Sequence, residues 1–158
     1  MGAKKVLAAV LEHGFAAVKS MSARRDGLDA APHLRTGTAG EDAAFFHLLR
    51  NGYTVVARRW CSGRVPGDVD LIAWSGELLC MFEVKTRTAH DLNPAESAVN
   101  ESKRHNLRRL ARAYVRQLPG PQAPQVRFDI VSVYLVPGSK PEILHFENAF
   151  GWNPRYED

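Results

Sequence analysis

Two apolar runs meet at a Ser75-Gly76 step. One is Gly-Asp-Val-Asp-Leu-Ile-Ala-Trp at 67–74 and the other is Glu-Leu-Leu-Cys-Met-Phe-Glu-Val-Lys at 77–85. Runs of this length around a glycine read as a β-hairpin, because glycine supplies the positive φ that a two-residue turn needs. With Ser75-Gly76 as the loop, Trp74 lies opposite Glu77, Met81 opposite Asp70 and Glu83 opposite Asp68. Side chains alternate with period two, so Asp68, Asp70, Glu83 and Lys85 project from one face. Asp70 and Glu83 are then diagonal neighbours, roughly 7–8 Å apart at the backbone. Two carboxylates so placed can share one hard cation, held through oxygen at about 2.1 Å.

Charged residues at strand ends are also what a solvated rim or a salt-bridge patch looks like. The strand bearing Glu83 is apolar on both faces, however, with Leu79 and Met81 on one side and Leu78, Cys80, Phe82 and Val84 on the other. Such a strand is central and covered, and a charge beside it needs a partner or a metal. The 158 residues suit one domain, 45% of them hydrophobic and 24% charged, the balance of a folded globular chain. No apolar run approaches the ~20 residues that span a bilayer. The apolar stretch near the N-terminus breaks too early for a secretory signal. Two cysteines make neither a zinc knuckle nor a disulfide framework, and a reducing cytoplasm is the expected compartment. The formal charge of +4 is concentrated, since residues 101–116 hold six basic side chains and one acid. A basic face of this kind points to a polyanion partner, although a solvated helix face can carry the same residues.

In chain order, residues 1–36 read as an extension with a short stripe at Val6, Leu7, Val10 and Leu11, followed by a polar linker. Residues 37–150 read as one domain, and 151–158 as a surface tail. Thr38 followed by Glu41 forms a capping box that opens the first helix. Glu41 therefore has a structural role available, and a place beside the Asp70 cation as the other. A strand follows at 53–60, then a loop carrying Arg64, then the hairpin. A polar connection begins at Thr86, with Arg87 and His90 as candidate substrate contacts. A helix over 100–117 buries Leu107, Leu110, Ala111, Tyr114 and Leu118. Its Arg104, Arg108, Arg112 and Arg116 form an i,i+4 ladder beside Lys103. A long strand over 126–136 and an edge strand over 142–146 complete the order. Helix, three strands, helix and two strands predict an α/β fold with a mixed sheet between helices.

Asp70, twelve intervening residues and Glu83-Val84-Lys85 resemble the signature of the PD-(D/E)XK nuclease superfamily. Further stretches agree in sequence: Gly-Glu-Asp-Ala-Ala at 40–44, Pro-Ala-Glu-Ser-Ala-Val at 94–99, Arg-Phe-Asp-Ile-Val at 127–131 and Glu-Asn-Ala-Phe at 147–150. Together they resemble the YraN-like family of bacterial predicted endonucleases over residues 37–150. The resemblance implies a restriction-endonuclease-like core in αβββαβ order, similar in fold to archaeal Holliday-junction resolvases. It implies a catalytic set of Glu41, Asp70, Glu83 and Lys85. Asp70, Glu83 and Glu41 would hold Mg²⁺ or Mn²⁺. Asp68 departs from the family, which has Glu there. The activity so implied is metal-dependent hydrolysis of phosphodiester bonds in DNA, branched or structured DNA being the better guess. Arg64, Arg87, Lys103, Arg104, Arg108 and Arg112 would hold phosphates, contacts that position nucleic acid without reading bases. A homodimer would let two sites address two strands. The rival readings are a nucleic-acid-binding protein that cleaves nothing and an adaptor for an acidic protein.

Overall fold

The computed structural model describes residues 32–90 and 99–152. The expected stripe at Val6–Leu11, residues 94–98 and the last six residues lie outside that range. Two helices and five strands follow in the order α1 (Pro32–Arg50), β1 (Thr54–Trp60), β2 (Val69–Ser75), β3 (Leu78–Arg87), α2 (Glu101–Val115), β4 (Val126–Tyr134) and β5 (Glu142–Phe150). The strands lie side by side in chain order. All neighbours are antiparallel except β3 and β4, which are parallel. That parallel pair requires a crossover, and α2 lies in it. The expected mixed sheet flanked by helices is therefore present.

Alternation along the strands divides the core. Leu71, Ala73, Cys80, Phe82, Val131 and Val133 pack with Ala44 and Leu48 of α1. Ile72, Leu79, Met81, Phe128 and Ile130 pack with Leu107, Leu110 and Tyr114 of α2. Both faces of β3 are thus covered, which is why it reads as nearly continuous apolar sequence.

Three sequence-based expectations change. The hairpin loop is Gly76-Glu77, so Ser75 pairs with Leu78 and Leu71 with Phe82. Gly76 takes φ +60° at the first turn position, where a type II′ turn favours glycine. The register moves by two residues, which preserves every side chain's face and brings Asp70 level with Glu83 instead of diagonal to it. The second change concerns α1, which begins at Pro32, a residue suited to a first helical position. Thr38 lies inside the helix and is not its N-cap, so the expected capping box with Glu41 does not open it, and the helix crosses the expected boundary at residue 36. Third, β5 runs on to Phe150, which is buried and stacks on Phe128 with ring centroids 4.9 Å apart. Trp152, though exposed, also packs edge-on against Phe128.

Gly40 fixes how α1 sits on the sheet. A Cβ there would lie 1.8 Å from Thr86 Oγ1 and 2.8 Å from Thr86 Cβ. Replacing Gly40 with Ala is expected to cost about 1–3 kcal/mol by overpacking, read as a lower urea midpoint. Adding Thr86→Ala should recover only part of this loss, because the Cβ of residue 86 remains.

Candidate active site

The two acids of the hairpin meet at the ends of β2 and β3 remote from the turn. Asp70 Oδ2 accepts a hydrogen bond from the Val84 N–H at 2.7 Å, locking its carboxylate against the neighbouring strand. Glu83 is 4% exposed. Lys85, two residues along the same face, places Nζ 2.9 Å from Oε1. Lys103 comes from α2 and places Nζ 2.9 Å from Oε2. Oε2 is buried, and the Lys103 ammonium is the charge beside it. Ser132 on β4, in register with Lys85, has a buried hydroxyl without a hydrogen-bond partner.

Burial pushes the Asp70 carboxyl up to about 7, and the nearby Glu83 charge adds to the shift. The Val84 N–H and Lys103 oppose it. Burial lowers Lys103, but attraction to Glu83 outweighs this and leaves its pKa raised.

Glu41 approaches from α1. Burial raises its pKa more than Arg59 and Arg58 lower it. Arg59 is the residue that sequence reasoning missed. It lies between the pairs Arg58–Leu71 and Trp60–Val69, hence level with Asp70. Its φ of +48° is left-handed, uncommon for a residue with a Cβ. The turned side chain lies 3.9 Å from Glu41 and 3.7 Å from Asp68. Arg58 pairs with Asp42.

The expected metal set assembles only in part. Asp70 and Glu83 are together, yet among the described residues no three His, Cys, Asp or Glu side chains form a group that could hold a metal. The residues fit a hard divalent cation in a narrower sense. Asp70 and Glu83 stand level on neighbouring strands, burial raises Asp70, and the charge nearest Glu83 Oε2 is the Lys103 ammonium on its flexible stem. Mg²⁺ commonly takes one or two carboxylates and keeps several waters. Val84 directs its N–H at Asp70, and a strand residue's carbonyl shares that edge.

The expected phosphate ligands divide. Arg64 is exposed on the loop before β2, and Arg87 is the half-buried last residue of β3. Lys103 serves Glu83. Arg104 donates to the Val99 carbonyl at 3.0 Å and lies over the Phe150 ring. Arg108, expected on the surface, is 2% exposed. It donates to Gly151 O and Glu101 Oε1, each at 2.6 Å, and is a structural residue. Arg112 is exposed and covers Trp152. With Arg116 it borders a groove of about 390 Å³ that shares no lining residue with the acid pair. His90 stacks on Tyr134. Helical spacing could have singled out Lys103, which stands four residues before Leu107, seven before Leu110 and eleven before Tyr114, on the buried stripe.

The Arg-Phe-Asp-Ile-Val and Glu-Asn-Ala-Phe stretches build a second polar cluster on the opposite face. Asp129, in register with Phe82, is 1% exposed. It accepts from Arg127 Nε and Nη2 at 2.8 Å each, from His145 Nε2 at 2.8 Å and from the Asn148 N–H at 2.9 Å. Arg127 also donates to the Tyr53 hydroxyl, which donates to Glu147. Burial raises Asp129, but the hydrogen bonds prevail and hold it below its ordinary value. With its acceptors filled, Asp129 ties β4 to β5 and, through Arg127, to Tyr53 between α1 and β1.

The fold and these two carboxylate clusters define an α/β protein with an acid-acid-lysine centre at one end of its sheet. Residues 40–133 match the family described as uncharacterised protein family UPF0102. A UPF0102 protein of Koribacter versatilis is 45% identical over 134 residues, covering 85% of this chain and 92% of its own. One of Solibacter usitatus is 46% identical over 114 residues, covering 72% and 84%. One of Porphyromonas gingivalis is 41% identical over 125 residues, covering 76% and 87%. The chain belongs to the UPF0102 family, the family that the YraN-like resemblance indicated. No helix among the described residues is long and apolar enough to cross a membrane.

Two outcomes are expected. Asp70 binds its proton more tightly in the folded chain than in the unfolded one. Its share of stability is therefore complete below its ordinary value of 3.8 and is lost as pH rises through about 7. Melting temperatures measured without divalent ions should show this decline, and Asp70→Asn should flatten it. Asp129→Ala should cost about 3–5 kcal/mol in urea unfolding, because Arg127 and His145 are left facing a vacant acceptor site.

Proposed function

We propose that this protein is a metal-dependent endonuclease of the PD-(D/E)XK kind, hydrolysing phosphodiester bonds in branched or otherwise structured DNA. The observation that carries the reading is the convergence of Asp70, Glu83 and Lys85 at one end of the sheet, with Glu83 buried. Asp70 and Glu83, with the Val84 carbonyl, would hold Mg²⁺ or Mn²⁺, and Glu41 would support them through water. The bound cation would supply Lewis-acid stabilisation of the phosphate and a more acidic water. Lys85 is held on Glu83 and stays on the reacting face, where it orients the attacking water or steadies negative charge as it develops. Buried walls beneath the pair strengthen each of these interactions.

Phosphates outside the cleaved bond would meet Arg64, Arg87 and Arg112, with Arg59, Arg109 and Arg116 as further exposed cations. Arg104 and Arg108 stabilise the α2 face instead. Nothing in this surface suggests a base-reading element, which favours recognition by shape.

A second reading has its own support. Glu83 already faces two lysines, and the third acidic ligand is not gathered in. A protein that binds nucleic acid without cutting would tolerate that arrangement.

Cleavage of branched, flapped, single-stranded and duplex DNA, with and without Mn²⁺, separates the readings. Wild type should cut only with Mn²⁺, and Asp70→Ala, Glu83→Ala and Lys85→Ala should lose the cut while still binding. Equal cutting by all four proteins would remove the site from the reaction, whereas binding without cutting by all four would support the second reading. Arg109→Ala should reduce the salt slope of binding by about one.

A further inference from the structure

We infer that Lys103 is a built-in, exchangeable counter-ion of the acid pair: it competes with a divalent cation for Glu83 Oε2 and is displaced when the cation enters. The inference rests on the metal-binding reading above and assigns Lys103 a role distinct from both a general phosphate contact and a structural ion pair.

The two lysines on Glu83 are held differently. Lys85 belongs to the same strand as Glu83, and its Cα is set by the β3–β4 ladder. Lys103 arrives across the sheet's covered face from α2, whose start is fixed twice. Asn100 caps the helix by accepting the Lys103 N–H at 3.0 Å. Asn106 donates to the Pro66 carbonyl at 2.7 Å, tying the helix to the loop before β2. Leu107 and Leu110 anchor the next turns in the core. The base of the Lys103 side chain is therefore fixed, while its ammonium rides on a flexible four-carbon stem. The side chain is 32% exposed, so the ammonium has a route to water.

The contact also has the form of an exchangeable one. A single ammonium, 2.9 Å away, is what faces Oε2. Asp129 shows what a permanent arrangement looks like in this molecule, where a planar guanidinium grips the carboxylate through two nitrogens and a ring nitrogen and backbone N–H fill the remainder. A lysine ammonium is a point charge that lacks this fixed fork. Asp68, Asp70, Lys85, Glu41 and Arg59 are the other charges around it. Asp68 and Asp70 both attract Lys103, so it neutralises an acidic centre, not Glu83 alone.

A tethered cation in this position has two effects. It lets α2 close over the acids when no divalent ion is present, and it weakens divalent binding by holding one acceptor. Mn²⁺ affinity measured by calorimetry on the full chain tests both, using wild type, Lys103→Met and Lys103→Arg. Lys103→Met should melt lower without metal and bind Mn²⁺ about tenfold more tightly, since one positive charge beside the acids is gone. Mn²⁺ should raise its melting temperature by more than it raises that of wild type. Lys103→Arg keeps the charge and should show no gain in affinity. If Lys103→Met does not fold alone, Mn²⁺ should restore folding, and failure to do so overturns the inference. Equal or weaker Mn²⁺ binding by Lys103→Met, or a gain in Lys103→Arg matching the Met variant, overturns the role of Lys103 and leaves the metal reading intact. Absence of Mn²⁺ binding in all three proteins overturns both.

Discussion

A carboxylate that has left water must be compensated, and the molecule is arranged around two that have. Glu83 and Asp129 stand on adjacent strands, one position apart in register and on opposite faces of the sheet. Asp129 is compensated completely, with four hydrogen bonds and no acceptor left over. Glu83 faces two ammonium groups, one on each oxygen. A saturated carboxylate holds strands together, whereas an unsaturated one can exchange partners. The same residue chemistry thus makes a joint on one face and a site on the other.

The helices are distributed to match. α1 covers the face with the joint, and its close approach depends on the missing side chain at Gly40. α2 covers the face with the site and delivers Lys103 along the stripe that also supplies Leu107, Leu110 and Tyr114. One helical surface therefore fills the core at one end and neutralises charge at the other. The arginines on the adjoining stripe are partly drawn in. Phe150 and Trp152 lie beneath Arg104, Arg108 and Arg112.

What could be read from sequence follows from what is local. Period-two alternation placed Asp70, Glu83 and Lys85 on one face, and that survived a wrong turn assignment because the register error was even. Ser75-Gly76 and Gly76-Glu77 are both chemically acceptable loops, and glycine serves either. Thr38 and Glu41 carry a capping signature, but a helix already under way from Pro32 overrides it. Nothing in the spacing of Arg104, Arg108 and Arg112 distinguishes a solvated ladder from one covered by a distant strand. Arg59 had no readable signal, since a left-handed backbone at a residue with a Cβ is imposed by surroundings. The Arg-Phe-Asp-Ile-Val stretch contributed to the family resemblance without revealing that Asp129 gathers four hydrogen bonds between β4 and β5.

The crossover between β3 and β4 carries a consequence for assembly. The acids belong to neighbouring strands of one hairpin, so they are brought together by short-range pairing. Lys85 already sits beside Glu83 on the same strand. Lys103 is supplied by the crossover between β3 and β4, so any change in how α2 seats on the sheet alters the hydrophobic layer and the charge balance of the acids together.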